Sequence, residues 1–239
     1  MSIIWNPWHG CKKYSEGCKY CYVYRRDESV GKDASHVVLT KSFDAPLKTL
    51  RDGSYKIPSG ELVYCCMTSD FFIEQADGWR KDVWRIIRDR NDLEFFIITK
   101  RIVRFLDCIP EDWKDGYKNV TICCTIENQR QCELRLPLFK RIPAQKKQII
   151  CEPLLSAIDF GGRLDSSILK ITVGGESGKH ARVCDYSWVL KIREQCQNAS
   201  IPFFFKQTGE KFLKDGKYYR IPRNKQHSQA KQAGIDLLI

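Results

Sequence analysis

Short apolar runs of β-forming residues recur along the whole chain of 239 residues and alternate with segments of helical periodicity. The runs occupy residues 61–67, 93–99, 119–125, 147–151, 168–175 and 201–207, and a further one lies near Ile3–Trp5. Continuous apolar runs, rather than alternating ones, are typical of strands that are covered on both faces of a parallel sheet. The pattern therefore predicts an α/β fold, a partial (open) parallel β/α barrel of six or seven strands that is TIM-barrel-like.

Two segments between the predicted strands have a clear helical pattern. Residues 76–90 place Trp79, Val83, Trp84 and Ile87 on one face, and residues 185–199 do the same with Trp188, Val189, Ile192 and Cys196. The end of the chain is instead basic and polar, with Gly216, Pro222 and Gly234 as breakers. We expect a barrel over residues 1–210 and a basic C-terminal extension over 211–239, a hairpin and tail packed on the barrel or trailing from it.

The cysteine content and the charge limit where the protein works and what it binds. The chain has twelve cysteines, and its first residues lack the basic and apolar regions of a signal peptide. We therefore expect a cytoplasmic protein with reduced thiols. No run approaches the roughly 18 apolar residues of a membrane span, so no membrane association is expected. The net charge of +11 favours an anionic partner such as nucleic acid or a phosphorylated metabolite.

Several cysteines, such as Cys65-Cys66 and Cys123-Cys124, lie in apolar runs and are predicted to be small core residues, whereas three near the N-terminus lie in a polar segment. Cys11, Cys18 and Cys21 lie in the polar, glycine-containing segment 6–22, where packing does not explain them. Three thiolates close in sequence can bind zinc or an iron–sulfur cluster. No downstream pair of ligands completes a zinc site, and His9 is only two residues from Cys11. The segment favours a cluster with one open iron, and a zinc knuckle is the alternative.

Polar side chains follow almost every predicted strand. The groups are Thr68-Ser69-Asp70, Thr99-Lys100-Arg101, Thr125-Ile126-Glu127-Asn128, Glu152-Pro153, Gly174-Gly175-Glu176-Ser177-Gly178 and Lys206-Gln207. Because the active site of a parallel α/β fold lies at the carboxyl ends of its strands, we expect these groups to converge on one mouth. Taken singly, each has an ordinary alternative, such as a helix cap for Asp70 or a solvated charge for Lys100.

The cysteine segment resembles the cluster loop of the radical S-adenosylmethionine superfamily. The commonest superfamily pattern is Cys-x3-Cys-x-aromatic-Cys, and Cys18-Lys19-Tyr20-Cys21 matches its second half. The first gap departs from the pattern, since it holds six residues instead of three. The sequence also looks like a phage- and bacteria-associated family that carries NPWxGCxxxSxGCxxCY, with a likeness from Asn6 to about Gly209.

The resemblance implies the chemistry of the protein but not its substrate. It implies that Cys11, Cys18 and Cys21 hold a [4Fe–4S] cluster whose fourth iron is chelated by S-adenosyl-L-methionine. Reductive cleavage of that cofactor gives methionine and a 5′-deoxyadenosyl radical. Electrons come from an external donor such as flavodoxin or ferredoxin.

The same resemblance distributes roles among the polar groups. Ser69 and Asp70 are expected at the amino group of the cofactor, Lys100 or Arg101 at its carboxylate, Thr125, Glu127 and Asn128 at its ribose, and Tyr20 at its adenine. Glu152, Glu176 and Lys206 are the candidate catalytic groups for substrate binding or proton transfer.

The substrate is expected to be a nucleic acid or a nucleotide. Eight lysines and arginines lie between Lys206 and Lys231, with Tyr218 and Tyr219 among them, where they could stack on bases. The alternative function is a zinc-stabilised, phage-related nucleic-acid-binding protein without enzymatic activity, which leaves the polar strand ends unexplained. A third function, a phage structural module, explains neither the cysteines nor the polar strand ends.

Overall fold

A computed structural model of the protein describes residues 2–238. The strands in this range are β1 Ser2–Trp5, β2 Trp8–His9, β3 Val38–Leu39, β4 Leu62–Cys65, β5 Glu94–Thr99, β6 Val120–Thr125, β7 Lys146–Cys151, β8 Lys170–Gly174, β9 Val183–Asp185, β10 Phe203–Gln207, β11 Lys211–Lys214 and β12 Lys217–Arg220. The α-helices are α1 Tyr22–Glu28, α2 Asp77–Asp89, α3 Phe105–Cys108, α4 Gln129–Arg141, α5 Tyr186–Asn198 and α6 Gln226–Gln232. Strands and helices alternate over much of the chain, so the predicted α/β class is confirmed.

Seven strands form the main sheet, in the order β1-β4-β5-β6-β7-β8-β10. Each of the seven apolar runs in the sequence supplies one of these strands, which confirms the predicted number. The neighbours β1 and β4, β4 and β5, β7 and β8, and β8 and β10 all pair in parallel. The strands follow their order in the chain, and the helices α2, α4 and α5 lie between successive strands, as in β/α connections.

The chain forms two compact units. The first contains the described residues up to Tyr14, Val23–Cys123 and Arg141–Lys146. The second contains Ser15–Tyr22, Cys124–Lys140 and the described residues from Lys147 onwards. The C-terminal extension therefore belongs to the same unit as β7, β8 and β10.

In the first unit, α2 buries an aromatic and aliphatic face as its periodicity predicts. Val83, Trp84 and Ile87 are buried, and the ring of Trp84 lies 4.8 Å from that of Phe71. Trp79, which the pattern also places on this face, is half-exposed. Arg80 is buried instead, and its guanidinium donates hydrogen bonds to the main-chain carbonyls of Phe71 and Ile73.

In the second unit, residues 211–238 form a hairpin and a helix that are held on the sheet. β11 and β12 pair antiparallel across the turn Asp215-Gly216, whose two φ angles of 52° and 72° are typical of a tight type I′ hairpin. β11 also pairs in parallel with β9. The chain after α6 returns to β10, where Phe203 and Leu237 exchange two main-chain hydrogen bonds. These contacts favour an extension packed on the sheet.

Candidate functional site

The twelve cysteines fall into two groups by exposure. Cys11, Cys18 and Cys21 are half-buried, whereas the other nine are buried; for Cys65, Cys66, Cys123 and Cys124 this confirms the prediction from their apolar runs. Among the described residues none of the twelve forms a disulfide. Thiolates must reach a ligand or solvent to react or bind metal, so the motif cysteines are the ones available for chemistry.

In the first unit, Cys11 is held by its main chain and by a buried arginine. Its N–H donates to the carbonyl of Ala34 at 2.7 Å, and the hydroxyl of Tyr24 donates to its carbonyl. A guanidinium nitrogen of Arg101 lies 3.8 Å from its sulfur. Gly10 precedes it with φ of 93°, a conformation that a side chain would strain. The surroundings therefore fix the position of Cys11 and place a positive charge beside its sulfur.

Asp70 links the ends of β4 and β5 in the first unit. One carboxylate oxygen accepts from the Thr99 hydroxyl at 2.8 Å and from the N–H of Phe72 at 3.0 Å. The other accepts from the N–H of Lys100 at 2.9 Å and lies 3.4 Å from Arg101. Three hydrogen bonds and one ion pair thus surround the carboxylate. The structure thus brings Asp70, Lys100 and Arg101 together and makes Asp70 their common anchor.

Arg101 remains charged although it is almost fully buried. Burial acts to lower its pKa, but the attraction of Asp70, Cys11 and Glu74 outweighs burial and raises it. One guanidinium nitrogen donates to the carbonyl of Lys12 at 2.7 Å. Arg101 therefore joins the polar end of β5 to the segment that carries the first cysteine.

Ser69, next to this anchor, also reaches the cysteine segment. Its hydroxyl donates to the carbonyl of Gly10. Ser69 thus supports the main chain before Cys11 and does not point away from it.

In the second unit, Glu127 holds the segment that leads to Cys18. Its side chain is fully buried and accepts hydrogen bonds from the hydroxyl of Ser15 and, at 3.4 Å, from the N–H of Gly17. Arg135 on α4 donates to the other carboxylate oxygen at 2.7 Å and to the carbonyl of Thr125 at 2.6 Å. A buried carboxylate needs such partners, and the ion pair with Arg135 supplies them.

Asn128 and Arg182 hold the same segment through Glu16. The Asn128 side chain caps α4 by accepting from the N–H of Gln131 at 2.9 Å and donates to the Glu16 carboxylate at 2.9 Å. Arg182 donates to the carbonyl of Glu16 at 2.9 Å. The loop before Cys18 is therefore held by side chains that follow β6 and β8.

Tyr20, between the second and third cysteines, lies against three cationic or ionisable side chains, of which Lys19 has its ammonium 5.2 Å from the ring centre. The Tyr20 ring is stacked on His180, with centroids 5.9 Å apart, and the guanidinium of Arg182 lies 5.4 Å from its centre. Glu176 in turn accepts three hydrogen bonds from Arg182, at 2.7 to 2.9 Å. Glu176 thus belongs to the support of the cysteine loop.

Glu152 and Lys206 meet at the ends of β7 and β10. The Lys206 ammonium donates to one carboxylate oxygen at 2.7 Å, and the Gln207 amide donates to the other at 2.7 Å. Glu152 is 20% exposed and Lys206 39% exposed, so the pair is open to solvent. Of the three candidate catalytic residues, Glu152 and Lys206 are brought together, whereas Glu176 has Arg182 as its partner.

Two hydroxyls after the strands are buried without a hydrogen-bond partner among the described residues. They belong to Thr68, after β4 in the first unit, and Thr125, at the end of β6 in the second. Buried polar groups are almost always paired, so each of these atoms is suited to a polar group that is not part of the chain.

A family model described as "Protein of unknown function (DUF5131)" matches residues 1–237. The chain belongs to this family. No curated protein and no solved structure matches it.

Two further observations concern metals and membranes. Within residues 2–238, no set of three or more His, Cys, Asp or Glu side chains is gathered as a ligand group for a metal ion. None of the helices described in this DUF5131 member combines the length and apolar character required to cross a bilayer.

Four residues that hold the cysteine loop are absent from the sequence predictions: Ser15, Glu16, Arg135 and Arg182. Arg135 lies inside a helical segment and has no sequence feature that distinguishes it from the other basic residues there. Arg182 follows the Gly174–Gly178 loop closely, and an arginine after an acidic turn could have been considered a partner for Glu176. Ser15 and Glu16 lie between the cysteines, so their position in the motif was a usable signal.

Proposed function

We propose that this protein is a radical S-adenosylmethionine enzyme built on an open, TIM-barrel-like β/α barrel. The observation that carries the proposal is the contrast in exposure between Cys11, Cys18 and Cys21 and the nine buried cysteines. Soft thiolate ligands in a short segment are typical of iron–sulfur proteins. The match of residues 18–21 to the superfamily pattern supports the same chemistry. When bound, the [4Fe–4S] cluster would supply the electron for reductive cleavage of S-adenosyl-L-methionine.

In the first unit, Arg101 and Lys100 have different proposed roles. The charge of Arg101, 3.8 Å from the Cys11 sulfur, favours the thiolate that a cluster needs. The main-chain N–H of Lys100 donates to Asp70. The side-chain ammonium of this half-exposed residue is the group that we assign to the carboxylate of the cofactor. Because the Asp70 carboxylate already accepts three hydrogen bonds and pairs with Arg101, we assign it to positioning Arg101 and Lys100 rather than to the cofactor's amino group.

In the second unit, the residues after β6 divide between positioning and binding. Glu127 and Asn128 orient the loop through Ser15 and Glu16. Thr125 has the buried, unpartnered hydroxyl and is the better candidate for a direct contact with the ribose. Tyr20 remains the candidate for the adenine.

The solvent-open pair of Glu152 and Lys206 is the proposed catalytic group for the substrate. A carboxylate and an ammonium 2.7 Å apart can hold a proton between them and exchange it with a bound molecule. We propose a nucleic acid or nucleotide as that substrate because of the net charge of +11. An external flavodoxin- or ferredoxin-type donor and a cytoplasmic location complete the proposal.

Anaerobic reconstitution with iron and sulfide tests the proposal. Wild-type protein should take up about four iron atoms per chain and, with a reductant and S-adenosyl-L-methionine, release 5′-deoxyadenosine. Cys18→Ala should lose both properties. Cys196→Ala removes a buried thiol of α5 and is the matched control that should keep both. Tight binding of zinc, with no iron uptake by wild-type protein, would overturn the proposal.

One observation favours the second candidate, a zinc-stabilised nucleic-acid-binding protein. A ring nitrogen of His9 lies 2.6 Å from the Asp27 carboxylate, and a carboxylate often orients a histidine that binds metal through its other nitrogen. Metal analysis of protein purified without added metal separates the two functions. His9→Ala should leave iron uptake intact if His9 is not a ligand, and should abolish zinc binding if it is.

A further inference from the structure

A cavity of about 310 Å³ lies in the second unit, between the hairpin of β11 and β12, α5, α6 and β10. Four aromatic rings line it, those of Tyr186, Phe205, Phe212 and Tyr219. Its volume is at the lower end of the range for small-molecule sites. No role proposed above uses this cavity.

The aromatic rings offer a flat apolar surface with an open side. Phe205 and Phe212 are buried and nearly parallel, with centroids 6.1 Å apart and planes at 27°. The ring centroid of Tyr186, a half-exposed residue, lies 5.7 Å from that of Phe212. Tyr219 is 47% exposed and is the cross-strand partner of Phe212, so it shares that face of the hairpin. A planar ring entering here would meet aromatic surface.

Two amides on α6 add a polar edge to this aromatic cavity. The amide nitrogen of Gln229 donates to the side-chain oxygen of Gln232 at 3.0 Å, and both residues line the cavity. This bond leaves the Gln229 oxygen as an acceptor and the Gln232 nitrogen as a donor. Such an acceptor–donor pair is complementary to the hydrogen-bonding edge of a nucleobase.

The hairpin places like charges opposite each other. Lys214 lies opposite Lys217 in the cross-strand register, and Lys211 lies opposite Arg220, whose charge is already paired with Glu210 at 3.1 Å. Like charges in directly opposite positions are destabilising unless an anion lies between or beside them. Lys214 lines the cavity, and its ammonium lies 5.1 Å from the centre of the Tyr186 ring. An anionic group is therefore favoured next to the aromatic surface.

We propose that this cavity binds one base of a single-stranded nucleic acid, with the adjoining phosphates on Lys214 and Lys217. Single strands are recognised by stacking of bases on aromatic side chains and by basic residues along the backbone. A strand is favoured over a free nucleotide because the hairpin and the following turn carry more cations than one phosphate requires. The proposal goes beyond the enzymatic function and does not rest on it, since binding needs no cluster.

Fluorescence anisotropy with a labelled single-stranded oligonucleotide of mixed sequence tests the proposal. Tyr219→Ala should weaken binding by about tenfold, because one base loses its stacking partner. Tyr218→Ala is the matched control: Tyr218 is 73% exposed and is paired with Leu213 on the other face of the hairpin, so affinity should change less than about twofold. Gln232→Ala, at an exposed position, should weaken binding without affecting folding, which thermal unfolding verifies.

Three further probes separate a base-binding cavity from a merely basic surface. An abasic strand of equal length and the corresponding duplex should both bind at least about fivefold more weakly than the intact strand. A nucleoside 5′-monophosphate should compete only at much higher concentration than the strand. Equal affinity for the intact and abasic strands, equal losses in Tyr218→Ala and Tyr219→Ala, or equal potency of the free nucleotide would each overturn the proposal. Failure of the wild-type protein to bind the strand would also overturn the cavity proposal. Normal iron uptake by the same protein would then leave the proposed cluster chemistry standing.

Discussion

The guanidinium of Arg182 forms two parallel hydrogen bonds with the carboxylate of Glu176, at 2.7 and 2.9 Å. The remaining nitrogen of the same guanidinium donates to the carbonyl of Glu16 at 2.9 Å, in the loop before Cys18. Burial acts to lower the pKa of Arg182, but the attraction of Glu176, Tyr20 and Glu16 outweighs burial, so the pKa is raised. One buried carboxylate thus orients the arginine that holds part of the cysteine loop.

Glu176→Gln should loosen this loop. Arg182 would lose its charged partner, and we expect unfolding in urea to show a loss of about 2 kcal/mol, less than for a fully buried pair because Arg182 is partly exposed. Tryptic cleavage after Lys19 should become faster. Glu210→Gln is the matched control, since Glu210 pairs with an arginine that is 76% exposed and should contribute little. Equal effects of the two variants would contradict the assigned role.

Gly17→Ala should disturb the contact between the cysteine loop and Glu127. A methyl group at residue 17 would lie 3.0 Å from a carboxylate oxygen of Glu127, so the buried side chain must shift. We expect a loss of about 1 kcal/mol in the free energy of unfolding. Gly78→Ala, in the first turn of α2, meets no atom within 4 Å and should be neutral or stabilising by about 0.5 kcal/mol. Comparable losses in both variants would show that the contact with Glu127 is unimportant.

Arg101→Met should be strongly destabilising, whereas Lys100→Met should not. Arg101 is 3% exposed, and its loss leaves the buried Asp70 carboxylate without its cationic partner. We expect a loss of about 3 kcal/mol, measured by urea unfolding. Lys100 is half-exposed, and the substitution keeps its N–H bond to Asp70, so less than about 1 kcal/mol should be lost. A small effect of Arg101→Met would mean that the ion pair is not needed for stability.

The protein should lose stability in alkali through its buried thiols. Burial raises the pKa of Cys184 and of Cys196 to about 12, from an ordinary value of 9.0. The unfolded chain ionises first, so the stability that is present below pH 9 is lost as the pH rises towards about 12. Urea unfolding at about pH 8 and about pH 10.5 measures this slope. Cys196→Ala should have a shallower slope than wild type, and an identical slope would contradict this assignment.

At neutral pH the difference in burial between the motif cysteines and the other nine should appear as a difference in alkylation. Cys11, Cys18 and Cys21 should react with iodoacetamide in the native protein, and the nine buried cysteines should react only after unfolding. Peptide mapping by mass spectrometry measures the labelled positions.

The sequence by itself determined the sheet and the division of the cysteines. β6 is buried along its whole length, whereas Ile4 of β1 and Phe204 of β10 are exposed. The seven apolar runs became the seven strands of the main sheet because burial stabilises their apolar side chains. Cysteines within those runs are buried for the same reason, and the polar motif left three of them accessible. The hairpin at Asp215-Gly216 was also predictable, since these residues accept the positive φ angles of a tight turn.

Only the tertiary structure decided which polar residues are partners. Glu127 and Glu176 look equivalent to Glu152 in sequence, since each follows a strand. Glu127, however, holds the cysteine loop directly and pairs with Arg135, and Glu176 supports the loop through Arg182. Both arginines lie within eight residues of their partners, but nothing in the periodicity of the sequence distinguishes them from neighbouring basic residues as the ones that pair. The aromatic cavity likewise combines residues of five elements. Local patterns fix which residues are buried, whereas the packing of separate elements fixes which charges and rings meet.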